Sequence, residues 1–415
     1  MLKAVEEISR RSIATSYHIL FFATLAFLAI FHIPLLWVRE NAIGLFDIMV
    51  IGGYVLLIVA ISVGQHIELG DIWKEYLLIA LFYSGYLFFS YLLNFNRTAQ
   101  PFLIIIKYIE NTFFLLLLVF HFETKGESLE RTVKIVHFLL VILVLYQLYH
   151  YFTGTPVVSF DKPWLRIGLP FMPGTSSNPA GFILAISVIL HISVFIKIEK
   201  KKLIPLITLL LTLVALIFTI SRTNVFGLLI VLLAYSFTNI FKDKRAIIIG
   251  SLIVVATFII FSIVSRSDFA RTGKINTFIQ LLRNPSRIFQ EGSFMIRYTG
   301  AWPEAYRQWT ENIVTIIFGK GIGYMSVVDG TFLRLLANQG VIGLLFFFYI
   351  WFGFFLLRFG RHKWLRTTLL FVFINGITGD TLIVSFRTIQ IYIVLILTLV
   401  YSLDYLEKKK GEGYA

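Results

Sequence analysis

The stretch GKGIGYMSVVDGTFLRLLANQGVIG, Gly319 to Gly343, places one carboxylate, Asp329, and one arginine, Arg334, at the start of a strongly apolar run. Apolar anchoring needs neither residue. Four further arginines, Arg39, Arg97, Arg222 and Arg387, fall in short connections between other apolar runs. Arg222, in FTISRTNVFG, is the sharpest case, because two runs meet there with almost no loop between them. A guanidinium at that depth needs a partner or a wet cavity. Taken singly, each arginine can snorkel to lipid phosphates. Taken as a set they suit an anionic ligand, since planar forked donors match phosphate oxygens. The ligand expected on that reading is a diphosphate-bearing lipid. Lys107 and Glu110, in KYIE, lie three apart on one helical face and read as a structural intramembrane ion pair ahead of a functional relay.

Other chemistries lack their residues. There is no G-x-x-x-x-G-K-[ST] loop for ATP, no H-E-x-x-H or Cys/His cluster for a metal, no D-x-D pair and no G-x-S-x-G elbow. The histidines are scattered, and His66, His121, His137 and His362 read as core or interfacial groups at the inner side. Whatever reaction the chain runs is expected to use carboxylates and arginines, with no metal and no cofactor.

These residues must be held by membrane helices. The chain has 415 residues, 58% of them hydrophobic and 14% charged, with 42 phenylalanines and no cysteine. Its apolar runs approach or reach the roughly 20 residues needed to cross a ~30 Å hydrocarbon core. An all-α polytopic membrane protein is expected, with twelve spans near 15–37, 44–63, 72–93, 102–122, 132–152, 178–196, 203–220, 223–241, 246–264, 331–356, 363–380 and 385–404. The N-terminal segment has no small-residue cleavage site and reads as a retained first helix behind a cytoplasmic tail. Basic clusters at Arg10–Arg11, Lys197–Lys202, Lys242–Arg245, Arg358–Arg366 and Lys408–Lys410 fall on alternate connections, which puts them and both termini in the cytoplasm. The outer side then carries a loop at 153–177 and a long one at 265–330, whose NTFIQLLRNPSRIFQ and EAYRQWTENIVTIIF read as surface-lying helices. One membrane domain results: nine helices in 1–264, the large outer loop at 265–330, and three helices with a cytoplasmic tail in 331–415.

Four segments resemble the bacterial O-antigen polymerase and O-antigen ligase superfamily of membrane glycosyltransferases. LRIGLPFMPGTSSNPAGFILAIS, with Arg166 and Asn178-Pro179, is similar to the family's segment after its first large outer loop. FTISRTNVFGLLI is similar to its Ser-Arg turn, which puts Arg222 where members hold a diphosphate-binding arginine. MIRYTGAWPEAYRQW followed by IIFGKGIGY resembles its Arg…Trp helix and glycine turn, making Arg297 the second such arginine. DGTFLRLLANQGVIGLLFFF resembles the start of the helix after the large loop. The resemblance covers about residues 160–350. It implies transfer of undecaprenyl-diphosphate-linked glycans at the outer face of the plasma membrane, with membrane lipids and a chain-length regulator as partners and no nucleic acid.

Ligases of this superfamily carry a histidine at the start of the last motif. Here that position is Asp329, and no histidine occurs in residues 192–361. The polymerase branch is therefore preferred, with a ligase acting on lipid A core as the alternative and a lipid-glycan flippase or transporter as the second. An Arg-x15-Gly spacing found in some polymerases runs from Arg307 to Gly323. On this reading Arg222 and Arg297 stabilise the departing diphosphate, with Arg166 and Arg387 behind them. Asp329 accepts the proton of the attacking hydroxyl or caps the helix, roles one residue can combine; Glu304 and Glu291 are alternative bases, and Glu311 reads as a solvated face. Arg334 orients Asp329, touches glycan or snorkels. Gly319, Gly321 and Gly323 bring backbone close to glycan or diphosphate. Trp302, Trp309, Tyr298 and Tyr306 stack on sugar or form an interfacial belt.

Overall fold

Backbone in a hydrocarbon layer must satisfy its own hydrogen bonds, so apolar runs of this length fold as helices. The computed structural model describes residues 19–31, 33–38, 41–62, 70–93, 99–123, 129–153, 167–169, 177–219, 221–239, 251, 255, 284, 297–322, 330–378 and 386–412. Helix α1 (Ile19–Phe31) leads to a hairpin of β1 (Pro34–Val38) and β2 (Asn41–Gly44). There follow α2 (Leu45–Ser62), α3 (Asp71–Leu93), α4 (Ala99–Glu123), α5 (Leu129–Thr153) and α6 (Ser177–Leu190), which runs on through a π-helical turn to Ile198. Next come α7 (Leu203–Phe218) and α8 (Arg222–Asn239), and then α9 (Trp302–Trp309), extended backwards by a π-helical turn from Arg297. The described chain ends with α10 (Ile313–Phe318), α11 (Thr331–Phe348, continued to Phe359), α12 (Lys363–Thr378) and α13 (Phe386–Glu412).

Six of the described helices are long and apolar enough to cross a membrane: 71–92, 102–123, 129–153, 178–198, 331–359 and 386–409. Four shorter apolar helices, at 19–31, 45–56, 203–218 and 223–238, accompany them. The set fits a multi-pass membrane protein. The expected span at 246–264 and most of the 265–330 loop lie outside the described residues.

The fold is helical as expected apart from this short hairpin, which ends the first expected span early, at Phe31. Pro34 has no amide to continue α1 and its ring opposes a helical residue before it. The chain instead turns extended, pairs antiparallel with β2 through an irregularity between Pro34 and Leu36, and is closed at its base by Leu45 N–H donating to the Ile33 carbonyl at 3.1 Å.

Helices apolar all round belong in the middle of a bundle, and α6 and α13 occupy that place. Phe182, Leu184 and Ile186 on α6, and Ile391, Ile393 and Leu395 on α13, are fully buried. Helix α13 packs on α4, α5 and α6. Helices α2, α3 and α7 instead leave Ile51, Leu56, Leu81, Phe82, Leu203 and Leu210 exposed, as a lipid-facing ring would.

The two ends of the bundle differ in kind. One gathers the basic turns at 197–202 and 358–366 with the end of α13. Arg361 and His362 each lie 2.6 Å from Asp404, Tyr405 donates to Glu130 at 2.7 Å, and Arg358 pairs with Glu75. His121 and His137 are buried against the hydroxyls of Thr132 and Thr208 at 3.1 and 3.0 Å. The other end carries the residues expected to bind substrate.

Candidate functional site

The Ser-Arg turn is fixed by a buried polar network. Helix α7 closes at Thr219, whose hydroxyl donates to the Leu216 carbonyl and accepts from Ser221 N–H. Ser221 donates to Asn178 Oδ1 at 2.9 Å. The Asn224 amide nitrogen donates both its hydrogens, to the Asn178 carbonyl at 2.8 Å and to Ser221 Oγ at 2.6 Å, while its Oδ1 accepts from Asn375. Asn224 and Asn375 are fully buried, and a buried carboxamide this fully engaged is a rigid joint. It locks α6, α8 and α12 together beside Arg222, the first residue of α8. A Cβ on Gly181 would stand 2.7 Å from Asn224 Nδ2, so only glycine lets the turn sit this close to α6. Nearby, Ile167 N–H donates to the Phe218 carbonyl at 3.0 Å, which draws the chain next to Arg166 to the same turn.

A second assembly comes from residues 297–340. Helix α11 is broken at Gly340, whose φ of 65° and ψ of −169° lie outside helical space. In an unbroken helix the carbonyls of Ala337 and Asn338 would accept from residues 341 and 342. Here they accept from Lys320 N–H at 2.8 Å and Gly321 N–H at 2.9 Å. Gly319, with φ 74°, makes the approach possible: a Cβ there would collide with the backbone of Asn338 and Gln339, and one on Gly340 with the Ile317 carbonyl. From α3, Tyr83 donates to Gln339 Oε1 at 3.1 Å, and the Tyr86 hydroxyl lies against the Gln339 and Phe318 carbonyls. Asn312 and Thr315 form a reciprocal cap on α10, and Trp309 Nε1 donates to the Ile316 carbonyl, so α9 and α10 form one unit.

The two assemblies meet on the last turn of α12. Asn375 grips Asn224 of the Ser-Arg turn. Two positions on, the Ile377 carbonyl oxygen lies 3.4 Å, and Trp302 Nε1 of α9 3.7 Å, from where a Gly330 Cβ would be. Ala305 of α9 packs on Ala337 of α11, flanked by Trp302 and Leu333. Three segments far apart in sequence, those opening with Arg222, Arg297 and Gly330, therefore converge at one end of the bundle. Arg334 sits one turn past Gly330 on the same face of α11.

The expected site residues fare differently. Arg297 is half-buried at the start of the helix carrying Trp302. Arg307 is exposed and forms a bidentate pair with Glu304, at 2.9 and 2.7 Å, with Gln308 adding a 2.6 Å bond to the same carboxylate. The Arg307 guanidinium and the Gln308 amide hold Glu304 down to about 2. A carboxylate so stabilised as the anion is a weak proton acceptor, which speaks against Glu304 as the base. Gly321 has its amide committed to Asn338, so the close approach it permits is to the protein's own backbone. Glu311, read as a solvated face, pairs with Lys320. Arg387 is buried, 5% exposed, with its guanidinium donating to the Ile30 carbonyl of α1; that contact anchors α13 to α1. Asp329, Arg166, Gly323, Glu291, Arg39, Arg97 and the side chain of Arg222 lie outside the described residues.

Sequence reasoning passed over Asn224, Asn375 and the break at Gly340. Asn224 was three residues past Ser221, one helical turn, and a polar residue so placed in an apolar run was the available signal. The chain matches no protein-family model, and no curated protein matches it.

Proposed function

We propose that this chain is a membrane glycosyltransferase that polymerises undecaprenyl-diphosphate-linked oligosaccharide repeat units at the outer face of a bacterial plasma membrane. The observation that carries this reading is the convergence on the end of α12, where the Ser-Arg turn, the Arg297 helix and the start of α11 meet. The basic turns lie at the opposite end, which supports a cytoplasmic position for that end and an outward-facing site; the reading keeps the twelve spans and cytoplasmic termini expected from the sequence.

In the reaction, the non-reducing-end hydroxyl of one glycan attacks the anomeric carbon of another. The bond from that carbon to the diphosphate oxygen breaks, and the lipid diphosphate leaves with the electron pair. The hydroxyl proton passes to a base, for which Asp329 is the candidate beside Gly330. Negative charge grows on the leaving oxygen, so cations held in advance lower the barrier more than they stabilise the ground state. Arg222 and Arg297 take that role, with Arg334 toward the glycan. The rigid asparagine joint and the docked helix break hold these segments in place, so little reorganisation is needed during reaction.

The test is incubation of the purified protein with defined undecaprenyl-diphosphate-linked repeat units, without ATP and with chelator, followed by size separation. A ladder of multiples that vanishes in Arg222→Ala supports the polymerase. Transfer to lipid A core with no ladder would make the chain a ligase, and binding without any product would favour a flippase.

A further inference from the structure

The Lys107–Glu110 pair has a third member that sequence spacing did not reveal. Lys107 Nζ lies 3.0 Å from Glu110 Oε2 and also pairs with Asp47 Oδ1, which comes from α2. The side chains of Asp47, Lys107 and Glu110 are 8, 10 and 9% exposed. Two carboxylates against one ammonium leave one negative charge uncompensated inside an apolar bundle, and unbalanced buried charge is strongly unfavourable. Both carboxyls contact the one Lys107 ammonium, Glu110 at 3.0 Å, which brings them close enough to share a proton when one of them is protonated. Further polar capacity surrounds the cluster. Glu110 Oε1 and both amide atoms of the fully buried Asn111 have no hydrogen-bond partner among the described residues. Asn111 is one turn beyond Lys107 on the same face of α4.

We propose that Asp47, Lys107 and Glu110 form an intramembrane proton-binding site that holds one proton between its two carboxyls. A proton balances the charge without a new ligand shell, whereas a metal cation would have to sit beside the Lys107 ammonium. Among the described residues, the charged groups paired in this cluster are Asp47, Lys107 and Glu110. Of the other helices packed on α4, α3 brings the Tyr83 phenol against Tyr108 and α13 brings Arg387, held at the Ile30 carbonyl. The proton is also linked to the hairpin, because Asp47 Oδ2 accepts from Gly44 N–H at 2.7 Å where β2 passes into α2.

Charge counting makes the proposal sharp: protons held equal carboxyls minus ammoniums. Infrared spectra of the whole protein in lipid nanodiscs at pH 7 would be compared for wild type, Glu110→Gln, Asp47→Asn and Lys107→Met. The carbonyl stretch of a protonated carboxylic acid is expected once in wild type, absent from the first two variants and doubled in the third. Equal bands in all four, or none in wild type, would overturn the site. Loss of the wild-type band on exchanging K⁺ for Na⁺ would also overturn it, in favour of a cation site. A measurement on wild type alone covers variants that fail to fold. An apolar carbodiimide, which reacts with protonated carboxyls, is expected to label Glu110 or Asp47 at pH 6 by peptide mapping; labelling of neither would overturn the proposal.

Discussion

At the residue scale, two of the arginines expected in the site are bound within the fold. Arg307 is clamped on Glu304, and Arg387 on the carbonyl of Ile30. Arg222 and Arg297 open helices at the convergence point, so the Ala variant of either should cut polymerisation about 100-fold or more, the size of effect seen when a preorganised transition-state donor is removed. Gel quantification of the ladder checks this, and a change of only a few-fold would remove that arginine from the leaving-group role. Glu304 yields a pH prediction. Its folded value, near 2, lies below the ordinary carboxylate range, so its pairing is complete above about pH 4.5 and lost as pH falls through 2. Between pH 5 and 9 it contributes no pH dependence, and Glu304→Gln should alter turnover less than about threefold. Isotope-edited carboxyl shifts would show Glu304 titrating near 2, moving toward 4.5 in Arg307→Ala; an ordinary value in wild type would mean the pair does not form in solution.

At the scale of elements, the break in α11 and the glycine turn form one device. Carbonyls released by the break are satisfied by amides from the turn, and glycines on both sides keep the two backbones in contact. Gly340→Ala forces a side chain into a left-handed conformation and against the Ile317 carbonyl. The backbone term alone is of order 1–3 kcal/mol, and a clear drop in thermal stability in detergent is expected. Gly319→Ala should behave alike, while Gly52→Ala, with open space around its Cβ, serves as the unaffected control. Three equal melting curves would argue against the docked break. Much of this was legible beforehand. Spans at 72–93, 102–122, 203–220 and 363–380 differ from α3, α4, α7 and α12 by a few residues, because unbroken apolar runs leave helix as the answer. The glycines around 319–323 were legible as close approach but not as to what, since hydropathy carries no information about which backbone lies opposite. The hairpin was missed because its strands are as apolar as a helix, and only Pro34 marked the change. Asp47 was missed as partner of Lys107 because the two lie on different helices.

At the scale of the whole molecule, the polarity of the bundle is the testable feature. The chain contains no cysteine, so single cysteines can be introduced without background. One at Lys201, in the turn between α6 and α7, should resist a membrane-impermeant thiol reagent in intact cells, while one at Glu311, exposed in the turn between α9 and α10, should react. The reverse pattern would invert the orientation and place the convergence site in the cytoplasm.

The central position of α13 bears on how the protein is made. It is translated after α4, α5 and α6, yet these three pack around it. Until it emerges from the ribosome, the earlier helices face either lipid or the insertion machinery across a gap. Buried Gln147 of α5 and Ser187 and Ser193 of α6 belong to the polar groups they carry meanwhile. Nascent chains stopped short of residue 386 should thus be targets for membrane quality control, and the late arrival of one helix sets the moment at which the bundle can close.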